Sequence, residues 1–142
     1  MQFIQIPTES KLHMKTKHLT LLESLFAAFN RHDADAVMAC FSPDIVFDAA
    51  AGPEALGRRI VGLQATREAF VGTWTTMPDV QWQVRRHAVF DEDRGITEWL
   101  FTATAPQGGR IEAEGLDLFS FKDGLIVSKS AFRKDRPIQP AR

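Results

Sequence analysis

The 142-residue chain has no tyrosine and a single cysteine, Cys40. One thiol excludes an internal disulfide and any site built from four cysteine ligands. No apolar run approaches the roughly 18 residues of a membrane-spanning helix. The start, Met1-Gln2-Phe3-Ile4-Gln5-Ile6-Pro7, lacks both the basic flank and the apolar stretch of a secretory signal. A reducing, cytoplasmic setting without a membrane partner is therefore expected. An excess of one charge is also missing. The formal net charge is -1, which argues against a strongly basic nucleic-acid binder and against an acidic tail. Arg58-Arg59 and Arg133-Lys134 are too small as basic clusters to alter that. No glycine-rich phosphate loop occurs. His13, His18, His32 and His87 have no zinc spacing, so no metal site is expected.

What is present is a core-forming composition: 44% apolar residues, with eleven phenylalanines. A chain of this length makes one domain that needs no metal or disulfide support. Residues 1–17 have no clear period and read as an N-terminal arm. Residues 18–136 form the domain, and 137–142 a tail. Leu22, Leu25, Phe26 and Phe29 share one face of a helix that begins near Leu19 and ends at Asn30-Arg31-His32-Asp33. Asp33 can cap a second helix running to Phe41, with Val37, Cys40 and Phe41 buried. Ser42-Pro43-Asp44 is a turn. Ile45-Val46-Phe47 is a short strand ending at Asp48, and Ala49 to Gly57 reads as a loop. A third helix over Leu63–Thr75 places Ala69, Phe70 and Trp74 on one side. Four strand-like runs follow: Trp82 to Phe90, Ile96 to Ala105, Arg110 to Phe121 and Leu125 to Arg133. Three helices followed by a bent antiparallel sheet define an α+β domain.

The late strands carry large apolar groups on both faces. Leu116 and Leu118 point one way, Phe119 and Phe121 the other. A sheet with one wet face alternates more cleanly. Either a second copy of the chain covers the outer face, as exposed apolar patches often indicate, or the C-terminal tail folds over it.

The segment Phe29-Asn30-Arg31-His32-Asp33-Ala34-Asp35-Ala36-Val37, then Phe41-Ser42-Pro43-Asp44-Ile45-Val46-Phe47-Asp48, then Asp117-Leu118-Phe119-Ser120-Phe121-Lys122-Asp123-Gly124-Leu125-Ile126 resembles the nuclear transport factor 2-like superfamily. Its SnoaL-like and ketosteroid-isomerase-like branch is the most similar, over about Leu21 to Arg136. The resemblance implies a cone-shaped half-barrel, a curved sheet wrapped around three helices with an interior pocket. It also implies a homodimer formed through the outer sheet face, and cofactor-free chemistry on a small apolar or weakly acidic molecule.

The resemblance places an isomerase's proton-shuttling carboxylate at Asp48 and its protonated, enolate-binding acid at Asp117. Desolvation at the mouth of an apolar cavity would raise the pKa of Asp48 and make it a general base. Its alternative role is a solvated carboxylate capping the following loop. Asp117 stands out from the residues alone. It interrupts the apolar run Gly115-Leu116-Asp117-Leu118-Phe119, so it must be paired, hydrogen-bonded or protonated. Lys129 is the candidate partner, and hairpin register decides. A three-residue loop at Lys122-Asp123-Gly124 sets Asp117 opposite Lys129. A two-residue turn at Asp123-Gly124 sets Asp117 opposite Ser130 and turns Lys129 away.

Trp99, Phe101 and Phe119 are candidate apolar walls, with ordinary core packing as the alternative for Trp99 and Phe101. Lys129 and Arg133 would anchor an acidic group if they point inward, or lie exposed on an edge strand if they do not. Glu98 would face the dimer side. The isomerase's oxyanion tyrosine falls on Ser24, and the cyclases' catalytic histidine and aspartate fall on Asp117 and Ala131. Neither complete site is present. Two functions follow: isomerase-type proton transfer on a small carbonyl compound, or non-catalytic binding of a small hydrophobic ligand. A third, an interaction subunit like the transport factor, has no distinct sequence feature.

Overall fold

The computed structural model describes residues 8–141. Helix α1 (Thr8–Asn30) is followed by α2 (Ala34–Ala39), β1 (Phe41–Glu54), β2 (Gly57–Val61) and α3 (Leu63–Thr76). Strands β3 (Gln81–Phe90), β4 (Arg94–Thr104), β5 (Arg110–Lys122) and β6 (Leu125–Arg133) complete the chain. The sheet order is β2-β1-β6-β5-β4-β3. Only β1 and β6 run parallel; every other neighbouring pair is antiparallel. The result is an α+β fold with a curved, open, mixed sheet and its helices at the N-terminal end.

The apolar stripe of α1 is buried as its spacing requires, with Leu22, Leu25, Phe26 and Phe29 all in the core. The helix nevertheless starts at Thr8, inside the expected arm. Its first turns are mostly exposed until His18, so no periodic apolar signal marks them. Residues 1–7 of that arm lie outside the described residues. The helix ends with His32 in the left-handed region (φ 58°). That conformation is held by tertiary contacts: His32 Nε2 lies 3.0 Å from the Val80 carbonyl, and its ring stacks on Trp74. Asn30 joins α1 to β3: its side chain donates to the Trp82 carbonyl and accepts from the Trp82 N–H, both at 2.9 Å. Asp33 caps α2 by accepting from the Ala36 N–H.

The expected loop from Ala49 to Gly57 is instead the arm of a hairpin, with β1 continuing to Glu54 and β2 starting at Gly57. Its Ala-, Gly- and Pro-rich sequence has no apolar alternation, yet the main chain pairs in register from Val46–Val61 to Ala49–Arg58. Gly57 allows this: it has φ 87°, and a Cβ there would come 2.0 Å from the Ala49 carbonyl oxygen.

Past β6 the chain follows the edge of β5. The Lys134 N–H donates to the Glu114 carbonyl, and Arg110 and Gln139 exchange backbone hydrogen bonds. The tail thus continues the sheet edge. On the outer sheet face Phe90 and Phe132 stay 44% and 54% exposed.

Candidate functional site

The turn between β5 and β6 sets the site. Asp123 and Gly124 both have positive φ (53° and 77°), the signature of a two-residue type I′ turn, and Lys122 pairs with Leu125. Continued without interruption, that register would send Lys129 to the outer face. A bulge intervenes. Phe121 pairs with Ile126 but Ser120 pairs with Ser128, so Val127 is an extra residue on β6. One inserted residue inverts the alternation of everything after it. Lys129 therefore returns to the inner face opposite Phe119, one diagonal step from Asp117, which itself pairs with Ala131. The structure combines the turn of one expected register with the charge pair of the other.

Asp117 is fully buried at the centre of the sheet, and Lys129 is 4% exposed. Lys129 Nζ lies 3.2 Å from Asp117 Oδ1. The Trp99 indole N–H donates to Oδ2 at 3.0 Å. Gly115 makes that bond possible. It pairs with Trp99 across the sheet, and the indole ring lies on it so closely that a Cβ would approach the ring to 2.6 Å. Burial pushes the Asp117 carboxyl above its usual pKa range, against the opposing pull of the Lys129 charge and the Trp99 hydrogen bond. Lys129 Nζ also sits over the faces of Phe47, Phe29 and Phe70, at 4.4, 5.4 and 5.4 Å from the ring centres. Oδ1, despite its burial, receives no well-aligned hydrogen bond.

These groups line a cavity of about 360 Å³. Its walls are Phe47, Ile60, Phe70, Met77, Trp82, Trp99 and Phe101, with Asp117 and Lys129 among them and Arg58 and Arg133 also contributing. Arg133 is exposed and carries its guanidinium 4.7 Å above the Phe101 ring. A second, broader depression of about 740 Å³ shares Trp99, Ala131 and Arg133 with the first. It extends over Glu98, Leu116 and Phe132. The arrangement pairs one acid and one amine, both withdrawn from water, at the wall of an aromatic hollow.

Asp48, Phe119, Glu98 and Ser24 fall outside this group. Asp48 follows Phe47, and Phe47 points into the cavity, so Asp48 points to the opposite face. There it meets Arg59 in a two-pronged pair, Nε to Oδ1 and Nη2 to Oδ2, both at 2.9 Å. That guanidinium holds the Asp48 carboxyl below its usual range and ionised, opposite to the raised pKa expected of a general base. Phe119 is wholly buried but does not line the cavity; it packs edge-on against Phe26 in the core. Trp99 and Phe101 do face the cavity, and Glu98 is exposed on the outer face. Ser24 is exposed on α1 and lines no cavity, so it supplies no counterpart of the isomerase tyrosine.

Sequence reasoning missed Phe47, Phe70 and Arg58 as cavity residues, Arg59 as the partner of Asp48, and Gly115 as the seat of Trp99. The alternation Phe47-Asp48 was a usable signal, because only one of two adjacent strand residues can face inward. Arg59 could not be placed while residues 49–57 read as a loop. Among the described residues no group of three His, Cys, Asp or Glu side chains could hold a metal ion. No described helix is long and apolar enough to cross a membrane.

A curved open sheet around N-terminal helices, with a hollow between them, is the cone fold of the nuclear transport factor 2-like and ketosteroid-isomerase-like proteins. Within that class the chain belongs to the SnoaL-like domain family, which it matches over residues 22–129. Solved structures share the fold. Bal32a, from a soil-derived mobile gene cassette, superposes with a TM-score of 0.77 at 18% identity, over 86% of this chain and 92% of its own. SalBIII, an epoxide hydrolase/cyclase-like enzyme in pyran ring formation in the polyether salinomycin, gives 0.72 at 20% identity, over 84% and 92%. A protein with a ketosteroid isomerase-like fold from Catenulispora acidiphila, in complex with trimethylamine, gives 0.68 at 14% identity, over 79% and 83%. No curated protein matches the sequence.

Proposed function

We propose that the protein binds a small, mostly apolar carbonyl compound in the interior cavity and moves a proton on it without a cofactor, an isomerase-type reaction. Asp117 carries the proton. One observation supports this most: a fully buried carboxyl at the cavity wall, with its pKa raised by burial and Oδ1 free of any aligned hydrogen bond. Such an oxygen can hydrogen-bond a ligand carbonyl when protonated and accept a proton when not. Trp99 and Phe101 form flat walls for a ring, and Arg133 and Arg58 suit an acidic substituent. Asp48 has no part in this reading, because Arg59 occupies both of its oxygens.

The test is α-proton exchange or double-bond migration in a panel of cyclic β,γ-unsaturated ketones. Asp117→Asn should lower the rate by about a hundredfold or more, within the usual contribution of a positioned acid–base group. Asp48→Asn should leave the rate unchanged. A rate that survives Asp117→Asn removes the proposal.

The Asp117–Lys129 contact favours a second reading, non-catalytic binding of a small hydrophobic ligand. There the two charges remain a permanent structural pair. A carbon-13 titration of the Asp117 carboxyl separates the two: a group ionised well below neutrality supports the binder. The same reading of the molecule includes a cytoplasmic homodimer, paired through the outer sheet face.

A further inference from the structure

Lys129 differs from the other lysines of the described residues. Lys11, Lys15, Lys17, Lys122 and Lys134 are exposed, whereas Lys129 is buried at the wall of the cavity. A purely structural ion pair at such depth normally satisfies both partners, since each unmade hydrogen bond is costly there. This pair is incomplete. Nζ has three hydrogens to place, it lies over three phenyl faces, and Asp117 Oδ1 lacks an aligned donor. An acid and an amine in contact, both in the wall of the same apolar hollow, form a nucleophile with its own proton carrier.

We propose that Lys129 forms a protonated Schiff base with an aldehyde or ketone held in the cavity, and that Asp117 moves the protons. This rests on the reading of the cavity as a site for a small carbonyl compound. The ammonium first gives a proton to the Asp117 carboxylate. The free Nζ lone pair then attacks the carbonyl carbon. The C–O π bond opens, and its oxygen takes the proton from Asp117. The nitrogen, now positively charged, returns one proton to Asp117, leaving a neutral carbinolamine. Asp117 then protonates the hydroxyl, the C–O bond breaks and water departs. The products are an iminium on Lys129, an ionised Asp117 and one water. Total charge and atoms are conserved, and no oxidant or reductant takes part. An iminium acidifies the neighbouring C–H bonds more than a neutral carbonyl does, so the covalent step would assist the same proton transfer.

The experiment is reductive trapping with para-formylbenzoate and cyanoborohydride on the full-length protein, read by peptide mass mapping. The probe has an aldehyde for Lys129, a ring for the aromatic walls and a carboxylate for the arginines. Quenching of tryptophan emission reports its binding separately. Lys129 should be labelled at least about tenfold faster than Lys122 or Lys134. Asp117→Asn should abolish that preference while the quenching persists. If wild-type protein binds the probe yet Lys129 reacts no faster than the exposed lysines, the Schiff base is refuted and the non-covalent pocket stands. If the probe neither quenches nor labels, both the Schiff base and the carbonyl-binding reading fall. Should Asp117→Asn not fold, the wild-type labelling ratio decides alone.

Discussion

Asp117 and Gly115 carry the site's residue-scale logic, two positions apart on one strand. Gly115 has no side chain, and that absence lets Trp99 lie across the strand and reach the carboxylate. Asp117 was legible because a lone acid in an apolar run demands an explanation. Gly115 was not, because a glycine in a strand reads as a weakness until the ring above it is seen. The stability of the pair is testable. Asp117→Ala leaves a buried ammonium with no counter-charge and should destabilise the fold by about 3–5 kcal/mol. The double variant Asp117→Leu/Lys129→Met should recover most of that loss, because apolar replacements remove both desolvation costs together. Denaturant unfolding of the two variants checks this; equal losses in both would mean that packing, not charge, sets the cost.

Elements decide where those residues end up. The turn at Asp123-Gly124 was one of two readings open from the sequence, and the extra residue at Val127 was invisible, because nothing in Leu125-Ile126-Val127-Ser128 marks a bulge. Deleting Val127 should rotate Lys129 to the outer face and leave Asp117 alone. The resulting protein should lose ligand binding and the preferential reductive labelling of Lys129; retained binding would show that the bulge is incidental.

On α1, His18 stacks on Phe121 at 4.1 Å between ring centres, 2% exposed and without a hydrogen-bond partner on either ring nitrogen. Burial lowers its pKa from the ordinary 6.5, and burial likewise lowers that of His87. The unfolded chain therefore takes up protons below about 6.5 that the folded chain resists, so stability falls as pH drops through that value. Thr8–Lys17 should then lose amide protection in mild acid, measured against the intrinsic exchange rate at each pH. His18→Phe should weaken that response, which a pH series of hydrogen exchange measures.

Viewed whole, the chain's order of helices and late strands and its core stripe could be read from apolar spacing and turn residues, while the cone shape came from the family resemblance. The cavity residues on β1 and β2 could not, because a polar, glycine-rich hairpin has no period to read. The outer sheet face remains the large feature without a partner. Phe90, Ile96, Leu116 and Phe132 lie on it, and the tail keeps to the edge instead of crossing it. Two copies meeting there would cover it. Sedimentation velocity should give a dimer for the natural chain and a monomer for Phe132→Asp; a natural chain that sediments as a monomer at high concentration rejects the pairing.

The parallel contact between β1 and β6 also has a bearing on synthesis. Among the described residues β6 follows the other eight elements in sequence, yet it lies mid-sheet, joining β2-β1 on one side to β5-β4-β3 on the other. A nascent chain still lacking it holds two unconnected half-sheets and an acid awaiting its amine. Only when β6 leaves the ribosome do the halves gain their shared seam, so assembly of the hollow waits on a long-range contact rather than growing gradually.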